Sequence, residues 1–436
     1  MKIVMVAPFA AYPRGTVPVR MLPLAKALVK QGHKVSIIVP PYDNPFESGR
    51  EYEVDGVKLF NIRFRNLPLM KYPLATFEIF LKVLRLKPHV LYVFKPKGYS
   101  GLVCMVFITL RKLGLLRMFR LILDMDDWEG YGGFCDYYLE HRLYPKYMLD
   151  FFDFQERWIP GRVDIVTVAS RVLRDRVLSW GIPSDRVLYI PNGAPQHSFD
   201  AQAREVEDLR MKLGLERVKV ILLYTRFFEY RLGKLIDILK LVKREVKDVK
   251  LLVVGKGEFG EEKRLKVLAE REGLSDAIVF AGWIQPKDLP SYLAVGDVAI
   301  YPFDDTLLNR AKCPGKLVEL MVAGKAIVAD RVGQIAEYIQ DGESGVLVDL
   351  DDVQAFASNV VKVLEDDALR RRLGNNAQNR ILDVFNWDKL TAKVEQALSF
   401  GNRKIIQNRK KSCDTLKVQR DLELKIRRLL KEKAPI

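Results

Sequence analysis

The chain reads D-V-A-I-Y-P-F-D-D-T over residues 297–306, R-A-K-C-P-G-K-L-V-E-L-M-V-A-G-K-A-I-V-A-D over 310–330, and V-G-Q-I-A-E-Y-I-Q-D-G-E-S-G-V-L-V-D over 332–349. Asp297 to Tyr301 is a short apolar strand, which Pro302 ends. A polar loop then runs to Lys312, and a helix is expected from about Pro314, because proline at the first helical position forfeits no hydrogen bond. The N–H groups of Gly315 and Lys316 then have no partner inside the helix. Gly315 carries no side chain, so an anion can approach its backbone closely. Lys312 and Lys316 add positive charge at the same end. The expected product of this arrangement is a seat for an oxyanion or a diphosphate.

Glu319 follows Gly315 by four residues and Lys316 by three, so the three share one helix face. A bound diphosphate would repel the carboxylate, whose natural partner is a neutral diol one bond further out, such as a nucleotide ribose. The other reading is a surface Glu319–Lys316 pair on an ordinary amphipathic helix.

The run from Glu319 through L-M-V-A-G-K-A-I-V-A, V-G-Q-I-A-E-Y-I and D-G-E-S-G-V-L-V resembles the nucleotide-sugar segment of the retaining glycosyltransferases of the two-Rossmann (GT-B) architecture, family four, group one. That family usually carries two glutamates separated by seven residues. Here the first of those positions is Ala311, so the chain resembles the variant branch with K-x-P-x-K before the remaining Glu. The resemblance implies a nucleotide-binding role for Gly315, Lys316, Leu317 and Glu319, with the donor sugar left undefined by the missing acid.

The 436 residues suffice for two or three domains, each with its own core. The four cysteines (Cys104, Cys135, Cys313, Cys413) form no C-x-x-C pair, which points to a reducing compartment without structural zinc or a disulfide framework. Met1 leads directly into the strand Ile3–Val6 rather than a secretion signal, and the longest apolar run, 101–110, is too short to span a bilayer. Net charge is +16, and residues 401–436 hold 12 Lys and Arg against 4 Asp and Glu. Most of the rest of the excess lies before Asp124. Such a balance attracts nucleic acid or an anionic membrane surface, and no helix-turn-helix, zinc or stacking motif favours the former. The expected setting is cytoplasmic and peripheral to the inner face of the plasma membrane. Segment 60–120 mixes basic and apolar residues as a docking surface would. Leu416, Leu422, Leu429 and Leu430 lie on one face of an expected basic amphipathic helix in the tail.

The N-terminal half alternates strand and helix from residue 2 onward, which argues for parallel sheets covered on both faces. Expected strands lie at 2–7, 34–39, 57–63, 90–94, 121–125 and 165–169, with helices at 19–30, 74–86, 101–113, 139–158 and 172–180. The opening M-K-I-V-M-V-A-P, P-R-G and R-M-L-P-L-A-K-A-L-V-K-Q-G-H-K-V-S-I-I-V resembles that of the same family. The resemblance implies that Gly15 approaches the donor and that Arg20 fills a position often basic; Gly15 as a plain turn residue is the alternative. At the end of the strand 121–125 stands D-M-D-D-W-E-G-Y-G-G, where ligands bind in open α/β sheets. Asp126 and Asp127 occupy the place of a His-Asp pair in the family. They are candidates for orienting or deprotonating an acceptor hydroxyl, with structural capping or metal binding as the alternatives.

In the second half, 218–225 is the first strand of another α/β domain. Arg226 lies where the family has the Arg of its G-R-L segment, and Arg231 where it has a Lys, with Lys234 nearby. A guanidinium fits phosphate oxygens in a fork, whereas a surface pair with Glu229 would leave Arg226 without such a role. Gly255 and Gly257 resemble the family's V-G-x-G turn, and Gly282, Trp283 and Ile284 resemble the segment whose backbone reads the base, with core filling as the alternative for Trp283. Phe385-Asn386-Trp387 resembles the point where the last helix returns to the first domain.

The expected protein is therefore α/β, with two Rossmann-like doubly wound parallel-sheet domains facing across a cleft: an acceptor domain over 1–195, a nucleotide-sugar domain over 196–385, a crossover helix over 386–400 and a basic tail over 401–436. The expected activity is transfer of a sugar from a UDP- or GDP-sugar to a glycan or lipid-linked acceptor in cell-envelope synthesis, with retention and without a metal or other cofactor. A nucleotide-sugar epimerase of the same fold and a catalytically silent nucleotide-sugar-binding subunit are the competing readings.

Overall fold

The computed structural model describes residues 1–12, 15–64, 70–115, 119–195 and 199–398. The expectations for the tail helix and for parts of the basic segment (65–69, 116–118) lie outside the described residues. The chain divides into two compact units, Met1–Leu390 and Thr391–Ile436; the described part of the second, 391–398, is helical.

Two sheets organise the first unit. One has eight strands: β1 (Lys2–Val6), β2 (Lys34–Val39), β3 (Glu51–Val54), β4 (Val57–Asn61), β5 (Val90–Phe94), β6 (Arg120–Met125), β7 (Ile165–Val168) and β8 (Val187–Tyr189). Their order is β3-β4-β2-β1-β5-β6-β7-β8. The other has six: β9 (Lys219–Tyr224), β10 (Val249–Val254), β11 (Ile278–Gly282), β12 (Val298–Tyr301), β13 (Ile327–Asp330) and β14 (Val346–Val348), in the order β11-β10-β9-β12-β13-β14. Strand order reverses beside β1 in the first sheet and beside β9 in the second, and such reversals open a crevice at the carboxyl ends of the strands.

Alternation along β9 shows how each sheet is buried on both faces. Ile221 and Leu223 point into one apolar cluster, Val220 and Leu222 into another. All neighbours pair in parallel except β3 and β4. That antiparallel edge was not anticipated from the sequence. It turns on Asp55-Gly56, both with positive φ (49° and 79°), the dipeptide that a tight hairpin favours.

Several boundaries differ from expectation for local reasons. The helix expected over 139–158 is two, Phe134–Glu140 and Lys146–Trp158. Pro145 drives the residue before it away from helical geometry and then serves as N-cap. The expected 19–30 helix opens with a wide π turn at Val17–Met21 and becomes regular over Leu22–Lys30. The loop before Lys312 contains a short helix, Leu307–Ala311, whose N-cap Thr306 accepts from the Asn309 N–H. Pro314 is the N-cap, not the first helical residue, of Gly315–Val322.

Buried charge ties these elements together. Asp124, at the end of β6, opens the acidic run that stands where ligands bind in such sheets. It is fully buried, with its two oxygens each 2.7 Å from Arg20 and the Thr167 hydroxyl donating at 2.6 Å. Burial opposes the Arg20 charge, yet Asp124 holds the guanidinium above its ordinary range. Arg20 also donates to Asn192 (3.1 Å), Asn192 donates to the Cys313 carbonyl (2.9 Å), and the Tyr338 hydroxyl donates to the Asn192 carbonyl (2.7 Å). The chain returns at Phe385, whose carbonyl accepts from Ala194 (2.8 Å), while Lys30 pairs with Asp388 (3.2 Å). Asp124→Ala leaves a buried guanidinium without its partner and is expected to cost about 3–5 kcal/mol. Urea unfolding checks this: Asp124→Ala should lose more stability than the double variant Arg20→Met/Asp124→Leu.

Candidate functional site

The start of helix Gly315–Val322 lies against the first lobe. A side chain at Gly315 would meet Val19 Cγ1 at 3.1 Å, and one at Gly15 would meet Val19 Cγ2 at 3.8 Å. The two glycines expected near the donor thus flank one residue from opposite lobes. Leu317 is fully buried in the core, whereas Gly315 and Lys316, the first two residues of the helix, are half-buried.

Three cations gather beside this helix start. Lys316 lies over the ring of Tyr224, 3.5 Å from its centroid, and Lys312 over Phe228 at 3.6 Å, contacts that favour a desolvated cation. Arg226 is close enough to depress the pKa of both lysines. Burial pushes Lys316 down to about 8, against the opposing pull of Glu319 and Glu229. Lys312 is lowered too, chiefly by burial, although Glu229 binds it at 2.9 Å and Asp127 of the first lobe favours its charge.

Glu319 is not the surface partner of Lys316. Its carboxyl is raised by burial, with Lys316 and a hydrogen bond from the Tyr224 hydroxyl opposing the rise. Arg226 does not pair with Glu229: it bonds Glu258 at 2.7 Å and remains half exposed. Phe227 beside it holds φ 72° in the left-handed region, a strained conformation for a bulky residue.

Other candidates fall elsewhere. The Arg231 side chain is 70% exposed and pairs with Asp351 (2.9 Å) and Asp304 (3.3 Å), while Lys234 is locked on buried Asp330 (2.7 Å). Neither joins the cationic group. Gly255 holds φ 126°, and a side chain there would lie 1.9 Å from the Thr225 carbonyl, so backbone packing requires a glycine at this point. Gly257 donates its N–H to Glu262 at 2.7 Å. Ile284 packs on the second-lobe core just past edge strand β11, but Trp283 is 65% exposed and fills no core.

On the first lobe, Asp126 and Asp127 converge on Lys95, which directly follows β5 with φ 61°. The Lys95 ammonium contacts Asp126 (2.9 Å), Asp127 and Glu129 (2.8 Å), and Lys97 contacts Glu129 and the Tyr138 hydroxyl (2.8 Å). Burial, relieved in part by Lys95, pushes the Asp127 carboxyl up. Among the described residues no group of three His, Cys, Asp or Glu side chains could hold a metal ion; the oxygens of this acidic run go to Lys95, Lys97 and Arg20.

Sequence reading missed Lys95, Glu129 and Tyr224, and placed Glu229 only as a partner for Arg226. One signal was available: K-P-K directly follows the wholly apolar strand V-L-Y-V-F, at the level where ligands meet the sheet. Ala311, at the missing acid, is fully buried within the first-lobe core, and its carbonyl accepts from the Ser170 hydroxyl at 2.6 Å.

Residues 15–193 match the family described as Glycosyl transferase 4-like domain, and 205–380 match Glycosyl transferases group 1. A GDP-mannose-dependent alpha-(1-6)-phosphatidylinositol monomannoside mannosyltransferase of Mycolicibacterium smegmatis is 30% identical over 58% of this chain and 66% of its own length, just under two thirds. The phosphatidyl-myo-inositol mannosyltransferase of the same organism is 26% identical over 90% of this chain and 92% of its own. In three dimensions, an Anabaena protein, HepE, in complex with UDP and glucose superposes with a TM-score of 0.65 at 18% identity, covering 92% of this chain and 99% of that one. With one family match on each lobe and the two-sheet arrangement shared along nearly its whole described length, the chain belongs to the group 1 glycosyltransferases of the GT-B architecture.

Proposed function

We propose that this protein transfers a hexosyl group from a nucleoside-diphosphate sugar, UDP- or GDP-linked, to a hydroxyl of a glycan or glycolipid acceptor in cell-envelope synthesis. The observation that carries this reading is the group Arg226, Lys312 and Lys316 at the start of a helix, with Glu319 one turn further on. The cations and the two N–H groups hold the diphosphate, and Glu319 accepts from the ribose hydroxyls. As the bond between the anomeric carbon and the phosphate oxygen breaks, negative charge builds where these donors already point, so they stabilise the transition state more than the ground state.

The acceptor oxygen forms its bond to the anomeric carbon on the face the diphosphate leaves, and a departing phosphate oxygen takes the hydroxyl proton. This retaining course suits a site in which Asp126 and Asp127 are already bound by Lys95. These carboxylates and Lys95 then position the acceptor rather than act as a free base. UDP and glucose bound to the similar Anabaena protein support a nucleotide-sugar donor, and the mannosyltransferases support a lipid-linked acceptor.

Among the described residues no helix is long and apolar enough to cross a membrane. The first lobe exposes Met70, Phe77, Leu113 and Leu115 beside Lys71 and Lys112. Such a mixed surface supports peripheral docking on an anionic cytoplasmic leaflet.

Glu319→Ala should weaken UDP or GDP binding about tenfold, by the loss of hydrogen bonds to a charged group; unchanged affinity in calorimetry removes the ribose role. Arg226→Ala should lower kcat roughly 10²-fold, and steady-state rates equal to wild type exclude it from the diphosphate clamp. Lys316 is a cation below its pKa of about 8 and neutral above it. The donor kcat/KM should therefore fall as pH rises through that value, and Lys316→Arg should abolish the fall.

A further inference from the structure

The first lobe contains a cavity of about 250 Å³ whose lining includes none of Arg226, Lys312 and Lys316. It lies at the carboxyl ends of three neighbouring parallel strands. Ala10 to Tyr12 follow β1, Pro41 and Asn44 follow β2, and Asn61 ends β4; Tyr52 and Glu47 close it from the hairpin side. The segment after β1 continues to Gly15, so the cavity and the interlobe contact at Val19 are built from one stretch of chain.

The chemistry of its wall is specific. Asn61 is only 5% exposed, and its amide donates to the Arg50 carbonyl (3.4 Å) and also contacts the Tyr52 hydroxyl. Tyr12 and Tyr52 are exposed at the rim, and Glu47 is turned to Arg50 (3.1 Å). Although the chain carries a net +16, among the described residues no Lys or Arg lines the cavity and one carboxylate does. Phosphate and carboxylate ligands are recognised by guanidinium, ammonium or α-helix N-termini, and none of these lies among the described lining residues, where the one helical start is the single 3-10 turn after Asn44. Amides, phenols and one carboxylate over an alanine and proline floor suit a ligand with hydroxyls on its edge and C–H groups on its faces. The volume is below the ~300–1,000 Å³ of pockets that enclose drug-sized ligands, which leaves room for a single ring.

We propose that this cavity is an acceptor subsite for one uncharged pyranose unit, a ring bearing no phosphate or carboxylate of its own. The proposal rests on the transferase reading and narrows its acceptor: any anionic or lipid portion must lie outside this subsite.

Saturation-transfer NMR on the full chain, with UDP or GDP bound, tests it using methyl α-mannopyranoside and methyl α-glucopyranoside against mannose 6-phosphate and methyl glucuronide. At least one neutral glycoside should give a saturable signal, with the charged sugars about tenfold weaker or silent. Asn61→Ala and Tyr12→Ala should each weaken the neutral glycoside at least fivefold without changing the nucleotide-induced rise in melting temperature. Tyr12, exposed at the rim, decides the matter if Asn61→Ala fails to fold. No saturable neutral glycoside, charged sugars bound equally well, or a Tyr12→Ala titration like wild type would overturn the subsite. A wild-type chain whose melting temperature neither nucleotide raises would instead overturn the transferase reading, and the glycoside titrations without nucleotide would then judge the cavity alone.

Discussion

Everything in the crevice is referred to one buried ion pair. Arg20 and Asp124 satisfy each other in two-point geometry without solvent, and Arg20 has a donor left for Asn192. Asn192 is in the segment joining the two sheets and donates to the carbonyl of Cys313, two residues before the start of the Gly315 helix. A buried pair of this kind contributes little net stability relative to an apolar replacement, because both charges lose their hydration. Its value is directional. Through Asn192 it links the first lobe, the connecting segment and the residue pair before the Gly315 helix.

The cations of the proposed donor site face the opposite problem, since they must stay charged and close together before any diphosphate arrives. Aromatic faces solve part of it: Lys316 sits on Tyr224 and Lys312 on Phe228. Glu229 supplies the remaining counter-charge to Lys312. Tyr224 has a second function, because the hydroxyl of the ring under Lys316 hydrogen-bonds Glu319. One side chain thereby orients the residue proposed for the phosphate and the residue proposed for the ribose.

The missing first acid has a structural counterpart. Ala311 is enclosed by first-lobe core residues, with its carbonyl held by Ser170. A carboxylate at that position would lose its hydration among apolar neighbours, which costs more than the small side chain does. Position 311 is thus part of the packing between lobes, and the charge near it resides on Lys312.

Much of the fold was legible because its cause is local and periodic. Continuous apolar runs of four to six residues separated by helical stretches dictate parallel strands with covered faces, and the Pro-Gly-Lys run dictates a helix start with free N–H groups and cations beside it. The antiparallel hairpin was equally present as Asp55-Gly56, although it was overlooked. Pairings between distant side chains have no such local signature. Arg20 could have faced a ligand, but Asp124, 104 residues away, claims it. Asp126 and Asp127 read as open carboxylates until Lys95 is brought onto them. Arg231 lies five residues after Arg226, yet Asp304 and Asp351 draw it out of the group. Sequence by itself determined the strands, the helix start and the chemical types available near it, because backbone geometry and burial follow from neighbouring residues. Only the tertiary structure decided which charges are spent on one another and which are left for a ligand, because that depends on side chains meeting across lobes.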